Sequence, residues 1–345
     1  MLEATSQPAA PPARTDSLII VALLALALAW QAAPARAQEA VAAGRDDAAQ
    51  DRIIVTLLGT GTPDLSADRF GFSNLVQAGG LNLLFDAGRG TAIRLHQAGL
   101  HPGKLDAVFL THFHSDHVSG LADVWLTGYI GNREQAFKAP MQLYGPRGTA
   151  RIAQGLMFAF RADAQIRFGE EKDWRPGAHI EAHELSDSVV FEKNGVKVTA
   201  FTVDHGQGIE PCQGYRIDYS GRSVVIAGDT VYDKRVIAQS RNVDLLIHEA
   251  GYGAEGATLP PAARQILGHH TSPEDAGRVF ASAAPKLAVF SHVVRLPVDG
   301  QLPSIGELID RTRRTYGGPL WVGEDLMRFV VTDSIAVYSA ESKAR

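Results

Sequence analysis

From Arg52 onward the chain alternates short apolar runs with turns built on glycine, proline, aspartate and histidine. "IIVTLL" runs into the glycine-proline turn "GTGTP", and "NLVQA" and "LNLLF" flank Gly79 and Gly80 as a hairpin. "TAIRLHQAGL" has the spacing of a helix with one apolar face, and "AVFL" reads as a buried strand that stops at "THFHSDHVSG". The second half repeats this order with different residues. It offers strands "VKVTAFTV", "GYRIDY", "SVVIAGD", "VDLLIHEA" and "LAVFSH", a helix from about Pro273 to Ala283 and a last helix near 304–315. Two halves of strands followed by helices predict an α/β chain with two sheets packed face to face and helices outside.

Residues 131–187 fit that plan least well. "MQLY" reads as a strand and "GPRGTARIAQGLMFAF" as a helix, but "RFGEEKDWRPGAHIEAHEL" mixes charges, aromatics and turn formers. The segment reads as a lid insertion that presents Met157, Phe158, Phe160, Phe168 and Trp174 over the strand-end loops, with Arg161 or Arg167 set to meet an anion. The plainer reading makes it framework of the first half.

The first residues carry a different signal. Arg14 precedes "SLIIVALLALALAW", residues 17–30, the length of a signal-peptide core and short of the roughly 20 residues of a membrane-spanning helix. Ala35-Arg36-Ala37 supplies the small residues a signal peptidase reads. Residues 1–37 are therefore expected to be a signal peptide, 38–51 a flexible leader and 52–340 the folded domain. The expected location is periplasmic or secreted, with no stable membrane insertion after cleavage.

Composition narrows the function classes. With 345 residues, 45% of them apolar, the chain can bury a sizeable core, and its net charge of -5 gives no basic field for gripping nucleic acid. Its single cysteine, Cys212, cannot close a disulfide within the chain and reads as a small buried apolar residue.

The chemistry concentrates in "THFHSDHVSG", which puts His112, His114, Asp116 and His117 into six positions. A zinc-like ion takes imidazole nitrogen or carboxylate oxygen at about 2 Å and, in a catalytic site, keeps one position for water. A loop leaving a strand can turn His112 and His114 to one side and Asp116 and His117 to the other, serving two neighbouring ions. Each ion then needs partners after other strands of the same layer. "TVDHG" offers His205, "IAGDT" offers Asp229 and "VFSH" offers His292, each after an apolar run.

Together "HFHSDH" and these three positions resemble the metallo-β-lactamase superfamily. "LLGTGTPDLSADRFGFSNLV", "LLFDAGRGT", "GYRI", "GDT", "LIHEA" and "GHHTSPEDA", in that order across residues 53–292, resemble its ribonuclease Z and arylsulfatase-like branch. The resemblance implies a four-layer αββα sandwich. It implies a first ion on His112, His114 and His205, a second on Asp116, His117 and His292, and Asp229 bridging both. A metal-bridging hydroxide would be the nucleophile, with Asp116 counted among the catalytic residues, His270 as the acid-base histidine and Glu249 orienting it. Two divalent ions are expected, zinc by default, with manganese or iron compatible with the same ligands. The competing reading of His270 is incidental placement beside the helix start at Thr271, Ser272 and Pro273. His248 reads as a buried strand-end residue.

Two departures shape the substrate expectation. Arg89 stands in "FDAGRG" where ribonuclease Z usually carries a glutamate, and only 23 residues separate His205 from Asp229, too few for that family's long tRNA-gripping arm. The expected function is an exported dinuclear hydrolase of a small anionic ester, a phosphodiester or an aryl sulfate. A ribonuclease Z-type endoribonuclease and a lactone or amide hydrolase are the enzymatic alternatives, and a metal-retaining binding or sensor protein the non-enzymatic one. The expected partners are that small ester, no nucleic acid, and at most a second copy of the chain in a homodimer.

Overall fold

The structure, a computed structural model, describes residues 51–130, 134–168 and 176–339. The expected signal peptide and, apart from Asp51, the leader lie outside the described residues. The first sheet is built from β1 (Ile53–Gly59), β2 (Ser73–Ala78), β3 (Leu81–Phe85), β4 (Ala107–Phe109), β5 (Met141–Gly145), β6 (Ile180–Glu184), β14 (Arg328–Val331) and β15 (Ile335–Tyr338). Its order is β15-β14-β1-β2-β3-β4-β5-β6, parallel from β3 to β6. The second sheet contains β7 (Ser188–Lys193), β8 (Val196–Val203), β9 (Cys212–Tyr219), β10 (Arg222–Ile226), β11 (Leu245–Tyr252), β12 (Leu287–Arg295) and β13 (Leu320–Val322). Its order is β13-β12-β11-β10-β9-β8-β7, parallel from β10 to β13.

The side-chain alternation of the strands explains the layers. In β4, Ala107 and Phe109 point between the sheets while Val108, like Leu110 beyond the strand, points outward, so an unbroken apolar run marks a strand buried on both faces. Phe85 and Phe109 stack at 4.8 Å between the sheets, with Tyr215 of β9 against both. Outside the first sheet lie helices α1 (Thr91–Gln97), α2 (Ser115–Val118), α3 (Leu121–Tyr129), α4 (Thr149–Ala159) and α5 (Arg161–Phe168). Leu95, Trp125 and Ala153 from this group fill the first outer layer. On the second sheet lie α6 (Lys234–Gln239), α8 (Pro273–Ala283) and α9 (Ile305–Arg313), whose Val236, Val279, Phe280 and Leu308 fill the other, and α7 (Pro261–Leu267) precedes α8. The result is the four-layer αββα sandwich.

Helix α8 shows how the sequence fixes one such element. Ser272 caps it by accepting the Asp275 N–H at 3.1 Å, and Pro273 occupies the first helical position, where its missing N–H costs nothing. Ala276, Val279, Phe280 and Ala283 recur at helical spacing and are all buried. Burying a side chain the size of Phe280 contributes about 1.5–3 kcal/mol. The helix ends at Ala284, whose φ of 51° is left-handed.

The described part of 131–187 is framework, which corrects the lid reading. β5 and β6 extend the first sheet in parallel, and α4 and α5 form the crossover between them. Met157 Sδ lies 3.4 Å from the main-chain N of Ile180, at the opening end of β6, and Phe160 packs against Trp125. Parallel strands put that end opposite the histidine loop that follows β4. Phe158 is exposed, Arg167 is paired with Asp163, and Trp174 lies outside the described residues.

Candidate metal centre

Loops after β4, β8 and β10 converge with a bulge inside β12. The sheets are tied there, since Gln213 N donates to Thr111 O at 2.9 Å and Tyr215 Oη to Leu110 O at 2.6 Å. His112 and His114 follow β4; His114 is extended at the start of α2, so Asp116 and His117 fall on the helix itself. His205 follows β8 and Asp229 follows β10. Gly228 turns the chain into Asp229 with φ 68°, and a Cβ there would lie 2.8 Å from the Gln213 carbonyl oxygen. His292 lies within β12 at φ 58°, a conformation rare outside glycine. The register of β11 and β12 slips between His248 and Ala250, so Ser291 and His292 together face Glu249 as a bulge that re-aims the histidine.

The structure brings the predicted ligands together. Ligand atoms of His112, His114, His205 and Asp229 lie within 4.8 Å of one another, and so do those of Asp116, His117 and His292. Asp229 belongs to the first group and lies between it and the second, also forming a group with His270 and His292. Its Oδ2 is 3.7 Å from His205 Nε2, 4.0 Å from His112 Nε2, and 3.4 Å from the Nε2 atoms of His117 and His292.

These residues fit two divalent ions on their own chemistry. His112 Nε2, His117 Nε2 and Asp229 Oδ1 are buried without a hydrogen-bond partner among the described residues, and each such group costs about 1–3 kcal/mol unless something satisfies it. Burial, reinforced by the neighbouring imidazole of His117, holds His112 well below its usual pKa. Burial also lowers His114 and His205, so all three are neutral near pH 7, the form that binds metal. Burial opposes a charge on Asp229, but His292 and His117 outweigh it and hold the carboxylate well below its usual range.

His270 completes the cluster from the loop between α7 and α8. One of its nitrogens lies within 4.8 Å of ligand atoms of Asp229 and His292, and its Nδ1 is 3.2 Å from Oε2 of the buried Glu249. Burial works against a cation on His270, but the charge and hydrogen bond of Glu249, with Asp229 and Asp116 adding, push its pKa up to about 9. Ser272 caps α8, so His270 has no capping role there. His248 is turned away, with Nδ1 on the Glu249 carbonyl oxygen at 2.7 Å and its ring against Phe280. Cys212 is buried with its thiol pushed up to about 12, chiefly by burial, and is in none of the ligand groups.

Residues 81–293 match the family described as "Beta-lactamase superfamily domain". The chain belongs to the metallo-β-lactamase superfamily. It is 34% identical to ribonuclease Z of Mycobacterium marinum over 280 residues, spanning 81% of this chain and 99% of that protein. Its identity to ribonuclease Z of Mycolicibacterium paratuberculosis is 35% over 280 residues, 81% of this chain and 98% of the relative. Among solved structures, the metallo-beta-lactamase fold protein YhfI from Bacillus subtilis superposes with a TM-score of 0.64 at 20% identity, over 81% of this chain and 100% of the other. Human tRNase Z, short form, gives 0.57 at 24% identity, over 81% and 98%. These two likenesses speak to the fold.

In this metallo-β-lactamase fold the ligands are held from behind. His112 Nδ1 lies 3.0 Å from Thr111 Oγ1, His205 Nδ1 lies 2.8 Å from the His269 carbonyl oxygen, and His117 Nδ1 lies 2.9 Å from Asp86 Oδ2. Such partners fix ring orientation and raise ligand basicity. Sequence reasoning misses Asp86. It is left-handed at φ 60° directly after β3, and its carboxylate accepts both the N–H and the hydroxyl of Thr111 at 2.7 Å. An acidic residue closing "LLFD" is the only local signal. Arg89, further along the same motif, donates to the Pro63 carbonyl oxygen at 3.4 Å.

Proposed function

We propose that this protein hydrolyses phosphodiesters using two divalent ions, one held by His112, His114 and His205, the other by Asp116, His117 and His292, with Asp229 shared. The observation that carries the reading is His270, a half-buried imidazole backed by the buried Glu249 at the edge of the double cluster, with a pKa raised to about 9. When bound, such a pair of ions supplies a water acidic enough to act as nucleophile near neutral pH. Asp116, beside His292 at 2.9 Å, orients that water and accepts its proton. His270 donates the proton on Nε2 to the departing alkoxide as the P–O bond breaks, while Glu249 keeps Nδ1 and stabilises the cation beforehand.

The ribonuclease Z relatives favour RNA as the diester. A second reading, a small anionic ester, is favoured by the segment between His205 and Asp229, which folds as the hairpin of β9 and β10 turning at Ser220 and Gly221 and projects no arm. The net charge of -5 and Arg89 at the glutamate position agree with it. Export belongs to this second reading and rests on residues 17–37.

One assay separates them. Protein loaded with zinc or manganese is given precursor tRNA, bis(4-nitrophenyl) phosphate and 4-nitrophenyl sulfate at rising salt. Specific RNA cleavage that falls steeply with salt supports the ribonuclease reading. Turnover of the small esters with weak salt dependence supports the second. Hydrolysis of a lactone with no diester or sulfate cleaved overturns both.

A further inference from the structure

The loop between β1 and β2 stands on one buried carboxylate. Asp325 accepts from Thr60 N, Thr60 Oγ1 and Phe70 N, each at 2.8 Å, and from Arg94 Nε and Nη2 at 3.1 and 2.9 Å. On one side this loop leans on the metal loop, since a Cβ at Gly71 would lie 2.9 Å from the Asp116 carbonyl oxygen. On its other side a cavity of about 270 Å³ opens between the loop and the chain that leaves His292.

The lining is apolar and cationic together. Val293, Leu302 and Ile305 supply the apolar wall, Arg69 and Arg295 supply two guanidinium groups, and Asp64 is the one carboxylate. Val293 and Arg295 share a face of β12 because strand side chains alternate, and Arg295 lies three residues beyond His292, about 10 Å along the strand. Arg69 Nη1 is tied to Thr60 Oγ1 and the Gly323 carbonyl oxygen, both at 2.9 Å, and Arg295 Nη1 to the Pro303 carbonyl oxygen at 3.2 Å. Each guanidinium is therefore oriented yet keeps further N–H donors, in the planar geometry that matches a phosphate.

We propose that this cavity binds the part of the substrate next to the scissile bond, a nucleotide-sized group that carries a second phosphate held by Arg295 and Arg69. The proposal rests on the phosphodiester reading and narrows it to diesters with an additional anionic group about one nucleotide from the reacting phosphorus. The apolar wall takes the ring, and the excess of guanidinium over carboxylate selects the anion.

Calorimetric titration of the zinc-loaded protein with thymidine 3′,5′-bisphosphate and with thymidine 5′-monophosphate tests it, since the two differ only in the second phosphate. The bisphosphate is expected to bind about tenfold more tightly, the effect of one charge-assisted hydrogen-bonded pair. In Arg295→Met the ratio should fall to about one, and in Arg295→Lys it should be intermediate, with zinc content and thermal midpoint reporting that each variant folds. Equal binding of the two ligands by the unaltered protein, or an unchanged ratio in Arg295→Met, overturns the proposal. A preference for the bisphosphate in a protein that turns over no 4-nitrophenyl phosphodiester supports the cavity while overturning the phosphodiester reading.

Discussion

Glu249 holds His270 and the chain beside it at once: its Oε2 is 3.2 Å from His270 Nδ1, and its Oε1 accepts the Thr271 N–H at 2.7 Å. The same carboxylate thus sets where the ring lies and how strongly it keeps its proton.

Glu249→Gln preserves the shape and removes the charge. With the pKa of His270 raised from 6.5 to about 9, the acid form persists through neutral pH and is lost as pH rises through about 9. The alkaline limb of kcat should move down by about one unit or more in the variant. The sign for stability is the same. The cation's contribution is fully present below about 6.5 and disappears as pH rises through about 9, so the two proteins should converge in thermal midpoint above that pH. Superimposable pH–rate profiles would remove Glu249 from its role.

His270→Ala should keep its metal, measured by elemental analysis, and lose about 100- to 10,000-fold in kcat on a diester with a poor leaving group. With 4-nitrophenolate, which departs without a proton, the loss should be much smaller. Equal losses on both substrates would rule out the acid role.

Asp229→Ala removes the carboxylate whose Oδ2 lies between His205 of one ligand group and His117 and His292 of the other. Bound metal should fall from two equivalents per chain to one or fewer, with activity abolished. Because buried His112, His117 and Asp229 each leave an atom without a hydrogen-bond partner among the described residues, chelation of the unaltered protein should also lower its thermal midpoint. Two retained equivalents in the variant would contradict the shared-ligand geometry.

Asp86→Ala tests a residue outside the candidate ligand groups. Losing its hold on His117 and Thr111 should weaken metal binding by about 10- to 100-fold in a competitive chelator titration. Asp86→Asn, which can keep part of the hydrogen bonding, should fall between.

The site was far more legible in the sequence than the support behind it. His205, Asp229 and His292 each close or follow an apolar run, and in β10 and β12 that run is a strand buried on both faces. Asp86 could not be read so, because its partner Thr111 lies 25 residues away and meets it only once β3 and β4 pair. The bulge opposite Glu249 is equally silent, being a relation between strands rather than a property of either. The misreading of 131–187 has a local cause. β6 is the edge of its sheet, and in "IEAHE" only Ile180 is buried, with half-buried Ala182 the one other apolar residue among Glu181, His183 and Glu184, a pattern short enough to pass for a loop.

The anchoring of both ends of the β1–β2 loop on Asp325 bears on how such a protein diversifies. Both ends of the loop are secured by a residue from the far end of the chain, while Pro63, Asp64, Leu65, Ser66, Ala67 and Asp68 between them are exposed. Their side chains face solvent, so substitutions in that stretch should leave the sheets and the ligand loops in place. Selection on what the enzyme accepts can therefore proceed largely apart from selection on whether it folds, and lineages that keep Asp325 are free to drift in the residues it brackets.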